Sequence, residues 1–317
     1  MPSIGQALNN VLLRVDDRSP LRPSLFRARR VLLRFSDPVV SYRVGNSTIR
    51  MPLSHDLPHH QKTFPNYSLN LGRIAGIVRA ARPDLAAVDV GANVGDSVAI
   101  LRSAGPLPVL AIEGNRHYFR LLEENAAALG PDLYLRCAMV GSPPGQGRGA
   151  MHEYGGSAYF VEGKVDGRPV PFESLSSLIE GTPELAGRKL LIKIDTDGLD
   201  CKILKSEGQL LATRRPVVFF EYDPFHFQRY GDDGFAVFDV FRRAGYSELI
   251  VYENTGDYRT SLGLDQEAQL RELHNLYSDR GGERYADICV FHSDDAKLFD
   301  MVRDSEVEFF KRYRAAD

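Results

Sequence analysis

Short apolar segments alternate with amphipathic segments through most of the chain beyond residue 80. Seven segments that are apolar throughout predict buried strands, at 86–90, 108–114, 133–140, 189–195, 216–223, 247–253 and 286–292. Segments between several of them, such as 116–129, repeat their apolar positions at helical spacing and predict helices. This alternation is typical of a parallel sheet covered by helices on both faces. The predicted fold class is α/β, with a doubly wound, mostly parallel, seven-stranded sheet.

The first 80 residues have a different pattern. Residues 1–35 read as basic helices, and two short alternating runs around Gly45-Asn46 predict a β-hairpin. Residues 141–170 also break the rhythm because they are rich in glycine. We therefore expect an N-terminal extension at 1–80 and a larger domain at 81–317 with an insertion at about 141–170. The insertion is expected to be either a flap over the site or a disordered loop.

Charge is distributed unevenly along the chain. The whole sequence of 317 residues has a formal net charge of −3, which gives no general argument for nucleic-acid binding. Residues 1–50, however, hold nine Arg and three Asp, a balance of +6. Such a segment is either a solvated basic face or a contact with an acidic substrate or an anionic surface. Peripheral membrane contact through the basic N-terminus is therefore one expectation.

The expected location is the cytoplasm. No apolar run approaches the roughly 18 residues that a membrane-spanning helix needs. The first residues lack the charged-then-apolar order of a signal peptide. Cys137, Cys201 and Cys289 are far apart and form no CxxC pair, so we expect three small core residues in a reducing compartment.

A glycine loop follows the first of these strands in the stretch VDVGANVGDS, Val88–Ser97. A loop between a strand and a helix N-terminus presents unpaired N–H groups and a partial positive charge, which suits a nucleotide-like cofactor. Dinucleotide-binding loops have glycine at the middle position of G-x-G-x-x-G, where a pyrophosphate approaches the backbone. This chain has Asn93 there, between Gly91 and Gly95. Asn93 would crowd a pyrophosphate but could hydrogen-bond an amino-acid group.

Two acidic residues accompany this loop. Asp89, at the end of the strand, repels phosphate and attracts an ammonium group. Glu113 ends the second strand, 22 residues after Gly91, where a carboxylate can accept both ribose hydroxyls. NAD-binding folds share the spacing between Gly91 and Glu113, so this spacing does not identify the cofactor. The sequence of the glycine loop does. A ligand with an amino acid at one end and an adenosine at the other fits, and we predict S-adenosylmethionine.

Three stretches, VDVGANVGDS, AIEGNRHYFRLLEENAA and LIKIDTDGLDCKIL, resemble the FkbM-type methyltransferases. The resemblance implies a Rossmann-like class I methyltransferase fold for the domain at 81–317. It also implies an S-adenosylmethionine-dependent O-methyltransferase that acts on a hydroxyl of a sugar or glycan intermediate or of a natural product. The residues it marks as cofactor contacts are Asp89, Gly91, Asn93, Gly95, Glu113 and Asn115. The family's commoner sequence is Lys-Ile-Asp-x-Glu-Gly, so Asp197 stands where many members have glutamate.

The candidate catalytic residues lie at two further strand ends. Ligands bind an open parallel sheet at the carboxyl ends of its strands, so DTDG and EYDPFH should meet the glycine loop at one edge. An alcohol is a poor nucleophile while protonated, and transfer of a methyl group to it benefits from a general base. Asp195, Asp197 and His226 are the predicted catalytic residues. Asp195 is expected to act on the acceptor hydroxyl as base or hydrogen-bonding partner, without a metal.

Other functions would use the same residues. The carboxylates could bind Mg²⁺, which prefers oxygen ligands and lowers the pKa of a bound hydroxyl. Asp195-Thr-Asp197 also matches the Asp-x-Asp of metal-dependent glycosyltransferases. A methyltransferase-like domain that only binds a ligand is a third alternative. A nucleic-acid methyltransferase is disfavoured because no Asn-Pro-Pro-aromatic segment is present for a flipped base. The expected partner is a small-molecule or glycan acceptor.

Overall fold

The computed structural model describes residues 3–141, 145–147, 149–162, 170–278 and 284–316. The strands are β1 (Val39–Val44), β2 (Ser47–Pro52), β3 (Leu85–Val90), β4 (Val109–Ile112), β5 (Leu133–Arg136), β6 (Met139–Val140), β7 (Gly145–Gly147), β8 (Gly149–Tyr154), β9 (Ser157–Glu162), β10 (Val170–Glu173), β11 (Lys189–Ile194), β12 (Val217–Tyr222), β13 (Tyr246–Glu253), β14 (Tyr258–Gly263) and β15 (Ala286–His292). The α-helices are α1 (Ile4–Arg14), α2 (Arg22–Leu33), α3 (Leu57–Thr63), α4 (Leu69–Ala81), α5 (Asp96–Leu101), α6 (Arg116–Leu129), α7 (Leu175–Glu180), α8 (Asp200–Ser206), α9 (Gly208–Arg214), α10 (Pro224–Phe227), α11 (Val237–Arg243), α12 (Glu267–Ser278) and α13 (Ala296–Ala316).

The main sheet has eight strands in the order β14-β13-β15-β12-β11-β3-β4-β5. Strands β5, β4, β3, β11 and β12 run parallel to one another, and β15 and β14 run antiparallel to their neighbours. Along β3, Val88 and Val90 belong to one apolar core, whereas Leu85 and Ala87 belong to the other. Both faces are therefore covered, which explains why this strand is apolar at nearly every position. The predicted α/β, mostly parallel fold is confirmed.

The sheet differs from the prediction at its two edges. Strand β14 is an eighth strand; its sequence, YRTSLG, is half-buried and too polar to be recognised as a core strand. The segment 133–140, predicted as one strand, is divided into β5 and β6. Pairing with β4 ends at Ile112↔Arg136, and β6 then pairs with β10 in a separate three-stranded sheet. Cys137 lies at this break and is exposed, so the prediction of three buried cysteines was wrong for that residue.

The N-terminal extension packs onto the main domain. Strands β1 and β2 form the predicted antiparallel hairpin around Gly45-Asn46, with Val44 opposite Ser47. Val40, Val44, Ile49 and Met51 from this hairpin share an apolar core with residues of α4, α5 and α6. The extension is thus part of the protein's core. None of the helices in the described ranges is both long and apolar enough to cross a membrane.

The glycine-rich insertion contributes short strands next to the glycine loop. Residues 142–144, 148 and 163–169 of the insertion lie outside the described residues. Within the described part, β8 and β9 form an antiparallel hairpin. The carbonyl oxygen of Gly155 at its turn accepts the N–H of Asp56 at 2.9 Å, and Tyr230 donates its hydroxyl to the carbonyl of Phe160 at 2.6 Å. The hairpin is therefore held between the extension and the loop that follows β12.

Candidate active site

The glycine loop connects β3 to α5 with the backbone in unusual conformations. Gly91 and Gly95 have φ values of 76° and 93°, in the region that favours glycine. A Cβ at Gly91 would lie 1.8 Å from the carbonyl oxygen of Asp195, so a side chain there would push the ends of β3 and β11 apart. Asn93 has a φ of 49°, a left-handed conformation that asparagine tolerates better than most residues. The local sequence therefore builds the strand, tight loop and helix that the pattern predicts.

Glu113 is fixed directly beside this loop. Its Oε2 accepts the backbone N–H of Asn93 at 2.8 Å, and its Oε1 accepts that of Asn115 at 2.6 Å. Burial raises the pKa of Glu113 to about 7, against the opposing effect of these two hydrogen bonds. Each oxygen keeps a second lone pair that a ribose hydroxyl can approach.

Asn115 holds the start of the next helix. Its Oδ1 accepts the N–H groups of His117 at 2.8 Å and Tyr118 at 3.2 Å, which makes it the N-cap of α6. Its Nδ2 donates to Glu153 of the β8–β9 hairpin at 2.8 Å. Asn115 is 3% exposed and does not line the pocket around Glu113. Asn115 thus supports Glu113 and the hairpin, and its predicted contact with the cofactor stays a prediction.

Asp89 is paired inside the protein. Its side chain is fully buried on β3, and Ser97 donates its hydroxyl to Oδ2. The Nζ atom of Lys193, on the neighbouring strand β11, lies 3.2 Å from Asp89 Oδ1 and 3.0 Å from the carbonyl oxygen of Gly91. Asp89 does not line the pocket. In this structure Asp89 positions Lys193 and the loop, and its predicted contact with a ligand ammonium stays a prediction.

Lys193 connects this buried pair to the open end of β11. Its Nζ atom also lies 3.4 Å from Oδ2 of Asp195. Burial by itself lowers the pKa of Lys193, but the charges of Asp195, Asp89 and Asp96 outweigh it and raise the pKa above its usual range. Lys193 is therefore a permanent cation beneath the site. A lysine inside the otherwise apolar stretch LLIKI was a signal that the sequence analysis did not use.

Asp195 and Asp197 lie together after β11, as predicted. The Asp195 side chain is 47% exposed, while Asp197 is half-buried with a φ of 53°. Asp200 braces the turn between them, because its carboxylate accepts the N–H groups of Thr196 at 3.0 Å and Gly198 at 3.2 Å. Burial, followed by the charges of Asp195 and Asp200, raises the pKa of Asp197 to about 7.

His226 is close to the other acids but outside the pocket. Its Nδ1 lies 3.0 Å from Oδ2 of the fully buried Asp223, whose Oδ1 accepts the His226 backbone N–H at 3.1 Å. Side-chain atoms of Glu221, Asp223 and His226 come within 4.8 Å of one another, a donor set that suits a divalent cation. None of the three lines the pocket that contains Asp195. The structure thus brings Asp195 and Asp197 together at the site and leaves His226 behind them.

A single pocket of about 190 Å³ joins the loop, Glu113 and the two aspartates. Its walls come from the extension, the insertion and the ends of several strands of the main sheet. They include Gly91, Asn93, Ser97, Glu113, Met139, Gly156, Phe160, Lys193, Asp195, Asp197, Phe219 and Asp287, together with His55, His60 and Tyr67 of the extension. The pocket therefore extends from the predicted ribose site to the predicted catalytic residues.

Asp287 is a site residue that the sequence analysis missed. It lies at the start of β15, which runs antiparallel to β12 and pairs Asp287 with Glu221. Burial, and then the charge of Asp195, raises the pKa of Asp287 to about 7. An antiparallel strand brings its first residues to the edge where parallel strands bring their last. The stretch ADICVFH gave no sign of its direction, so its first acid was not placed at the site.

His55 is the second missed residue, and it comes from the extension. It is 8% exposed, and its Nδ1 accepts the backbone N–H of Leu57 at 3.2 Å, which leaves the proton of a neutral ring on Nε2. That Nε2 and the Oδ1 of Asn93 are both buried, and hydrogen bonding between the two side chains favours the protonated form of His55. Burial lowers the pKa of His55, against the opposing charge of Asp96. A neutral donor and an acceptor, which can pair with each other, therefore lie side by side on residues that line the pocket.

These residues fit S-adenosylmethionine. Glu113 offers acceptors for ribose hydroxyls, and the donor of His55 and the acceptor of Asn93 complement an α-amino acid. The fold and the site together define a Rossmann-like methyltransferase that uses this cofactor. The sequence pattern of the methyltransferase FkbM domain matches residues 89–248, about half of the chain, and the chain belongs to the FkbM methyltransferase family. The resemblance noted in the sequence is thereby confirmed.

Several solved structures are similar to this chain at low sequence identity. Precorrin-6y C5,15-methyltransferase from Geobacter metallireducens is 12% identical, with 66% of this chain and 80% of that chain covered and a TM-score of 0.34. A protein of the NADB-Rossmann superfamily from Streptococcus agalactiae is 13% identical, with 69% and 67% covered and a TM-score of 0.36. The Pyrococcus abyssi tRNA (uracil-54, C5)-methyltransferase is 9% identical, with 81% and 45% covered and a TM-score of 0.38. A search of curated proteins found no match.

Proposed function

We propose that this enzyme is an O-methyltransferase that methylates a hydroxyl of a sugar or glycan intermediate, with a natural product as the second choice of acceptor. The observation that carries the proposal is the position of Asp195. Its half-exposed carboxylate lies in the same pocket as the glycine loop and Glu113. A hydroxyl that is hydrogen-bonded to Asp195 would therefore be held next to the cofactor. Such positioning accounts for a large part of the catalysis of a group transfer.

The cofactor would be held at both ends. Glu113 accepts its ribose hydroxyls, while the Nε2–H of His55 donates to its carboxylate and Oδ1 of Asn93 accepts from its ammonium. When bound, S-adenosylmethionine supplies an electrophilic methyl group. The β8–β9 hairpin closes one side of this end of the pocket, because Asn93 Nδ2 donates to the carbonyl oxygen of Gly156 at 2.6 Å.

Two aspartates would orient and activate the acceptor. Asp195 accepts a hydrogen bond from a neighbouring hydroxyl of the acceptor and so orients the reacting one, while the Lys193 ammonium, 3.4 Å away, holds the Asp195 carboxylate in place. Asp197 takes the proton, because its pKa of about 7 is well suited to a general base near neutral pH. An Asp197→Asn variant should accordingly lose the acid limb of the pH–rate profile near 7, whereas Asp195→Asn should retain it.

The charge around the acceptor end indicates the acceptor's class. Asp195, Asp197 and Asp287 line it, and Lys193 is already paired with Asp89. A phosphorylated or carboxylated group would meet net negative charge there, whereas a neutral polyol would find several hydrogen-bond acceptors. Tyr67 also lines this end. An aromatic face beside carboxylates suits a sugar ring, and we infer a neutral sugar at the methylated position.

Two alternative functions have less support. Family membership favours methyl transfer over glycosyl transfer, and Asp195-Thr-Asp197 is then part of the methyltransferase site. A cation held by Glu221, Asp223 and His226 would be bound by three residues that do not line the pocket. We therefore keep the base mechanism without a metal as the proposal.

Transfer of radiolabelled methyl from S-adenosylmethionine tests the proposed function. The acceptor panel should include neutral glycosides, the matching uronic acids and the matching amino sugars. The proposal expects labelled methyl ethers of neutral glycosides, with little product from the uronic acids. Label found on nitrogen or carbon would contradict O-methylation, and preference for the uronic acids would contradict the acceptor class.

A further inference from the structure

The N-terminal helices leave an unusual number of apolar side chains in solvent. Twelve large apolar side chains are exposed in the described part of the chain, and six of them lie between Ile4 and Val39. Three are on or beside α2: Leu21 is 63% exposed, Val31 is 54% exposed and Phe35 is 83% exposed. A group of exposed apolar side chains on one element marks an interaction surface more often than single ones do.

The exposed side of α2 is also strongly basic. Residues 22–35 contain five Arg and neither Asp nor Glu. Arg27, Arg30 and Arg34 are exposed and form no ion pair with any described residue. By contrast, Arg22 pairs with Asp17 at 3.2 Å and Arg29 pairs with Asp56 at 2.7 Å, so these two serve the fold.

Helical spacing places the exposed residues in two adjacent stripes. Val31 on α2 and Phe35, in the turn just after the helix, are four residues apart, while Arg30 and the C-cap residue Arg34 form a neighbouring row. Arg27 lies between the two rows. An apolar stripe beside a row of cations is the pattern of a helix that lies in the plane of a membrane interface. Apolar side chains enter the acyl boundary, and the long Arg side chains reach the anionic headgroups.

We propose that the α2 face, formed by Leu21, Arg27, Arg30, Val31, Arg34 and Phe35, binds the surface of an anionic phospholipid membrane. Charge complementarity selects this partner. A second copy of the chain on the same face would bring two sets of unpaired Arg together, and that repulsion opposes self-association. A nucleic acid would satisfy the Arg row but leave the apolar stripe in water. Because no described helix can span a bilayer, the contact would be peripheral.

The α2 face is connected to the pocket through a buried arginine. Arg29, on the opposite side of α2, is 8% exposed and donates to the carbonyl oxygen of Leu53 at 3.0 and 2.8 Å and to Asp56 at 2.7 Å. His55, which lines the pocket, lies between Leu53 and Asp56 in the sequence. A consequence that rests on the proposed function is that the acceptor sugar is carried on a lipid. The membrane contact itself does not depend on the acceptor.

Co-sedimentation of the full chain with vesicles tests the proposal. Vesicles of phosphatidylcholine alone should bind little protein, and vesicles of phosphatidylcholine with phosphatidylglycerol should bind much more, with a loss at high salt. Arg27→Gln/Arg30→Gln/Arg34→Gln should weaken binding by roughly 100-fold, because each Arg near an anionic surface contributes about fivefold. Lys297→Gln/Lys311→Gln/Arg314→Gln removes three exposed charges from α13 and should leave binding unchanged.

A second set of variants tests the apolar stripe. Val31→Ser/Phe35→Ser should weaken binding to the anionic vesicles, while Met301→Ser, at another exposed apolar position, should not. Point variants are preferred to deletion of 1–35, because the deletion would also remove the buried Leu12 and Arg29. Thermal melting and binding of S-adenosylhomocysteine should match wild type in every variant.

Three results would overturn the proposal. The first is equal sedimentation with neutral and anionic vesicles, or none with either. The second is an unchanged affinity in both the Arg and the apolar variants. The third is a concentration-dependent dimer that the Val31→Ser/Phe35→Ser variant abolishes, which would assign the α2 face to a second copy of the chain.

Discussion

The Nζ atom of Lys193 lies 3.2 Å from Oδ1 of Asp89, and the two residues face each other across neighbouring parallel strands. Asp89 is fully buried and Lys193 is 5% exposed, so each charge depends on the other for compensation. Lys193 also reaches Gly91 and Asp195. This buried pair therefore connects the glycine loop to the catalytic end of the site.

Replacement of Lys193 by methionine should destabilise the protein by about 3–5 kcal/mol, because it leaves a buried carboxylate without a partner. Urea denaturation followed by circular dichroism measures the free energy of unfolding. Lys193→Met/Asp89→Asn removes both charges and should recover part of the loss. A single variant within about 1 kcal/mol of wild type would show that the pair contributes little.

Stability of the ligand-free protein should fall as the pH rises from 4.5 to about 7. Burial raises the pKa of Glu113, Asp197 and Asp287 to about 7, so the folded state keeps protons that the unfolded chain has already released. The stability they contribute is complete below the ordinary carboxyl range and is lost as the pH passes through about 7. Glu113→Gln should flatten the dependence on pH, whereas Glu272→Gln, at an exposed position, should not. A stability that rises with pH in this window would contradict these raised pKa values.

His55→Asn should weaken S-adenosylhomocysteine binding by about tenfold or more, because a hydrogen bond to a charged carboxylate is lost. Asparagine still offers an acceptor near the position of Nδ1, so the hydrogen bond from Leu57 can persist. Methylthioadenosine, which lacks the amino-acid end, should bind the variant and the wild type equally. His55→Gln places a donor near the position of Nε2 and should restore part of the affinity. Equal weakening for both ligands would assign His55 to the fold of the extension instead.

Asp195→Asn should reduce turnover by about 10²-fold or more, with the affinity for the cofactor nearly unchanged. The substitution keeps shape and hydrogen-bonding reach but removes the charge. Methyl-transfer assays with and without a chelator separate the two mechanisms. Loss of wild-type activity with chelator and recovery with Mg²⁺ would favour a metal at Glu221, Asp223 and His226. Full turnover of Asp195→Asn without any effect of chelator would leave Asp195 as a brace and make Asp197, which lines the same pocket, the first residue to test next, before His226.

Local patterns predicted one half of the site and missed the other. The glycine loop, Glu113, Asp195 and Asp197 each follow a strand of the parallel sheet, so apolar runs and turn residues were sufficient to place them at one edge. His55 and Asp287 reach the pocket through long-range packing, from the extension and from an antiparallel strand. Sequence periodicity does not give the direction of a strand or the docking of an extension. His226 was predicted from a strand end as well, but α10 carries it behind the acids.

Calorimetric titration with S-adenosylhomocysteine and with NADH tests the central claim most directly. The loop has Asn93, with a φ of 49°, where a dinucleotide loop has glycine, so the account predicts binding of the adenosyl ligand and none of NADH. Glu113→Ala, which removes the ribose acceptors, should weaken binding of both S-adenosylhomocysteine and methylthioadenosine. Binding of NADH without binding of S-adenosylhomocysteine would contradict the account of this site.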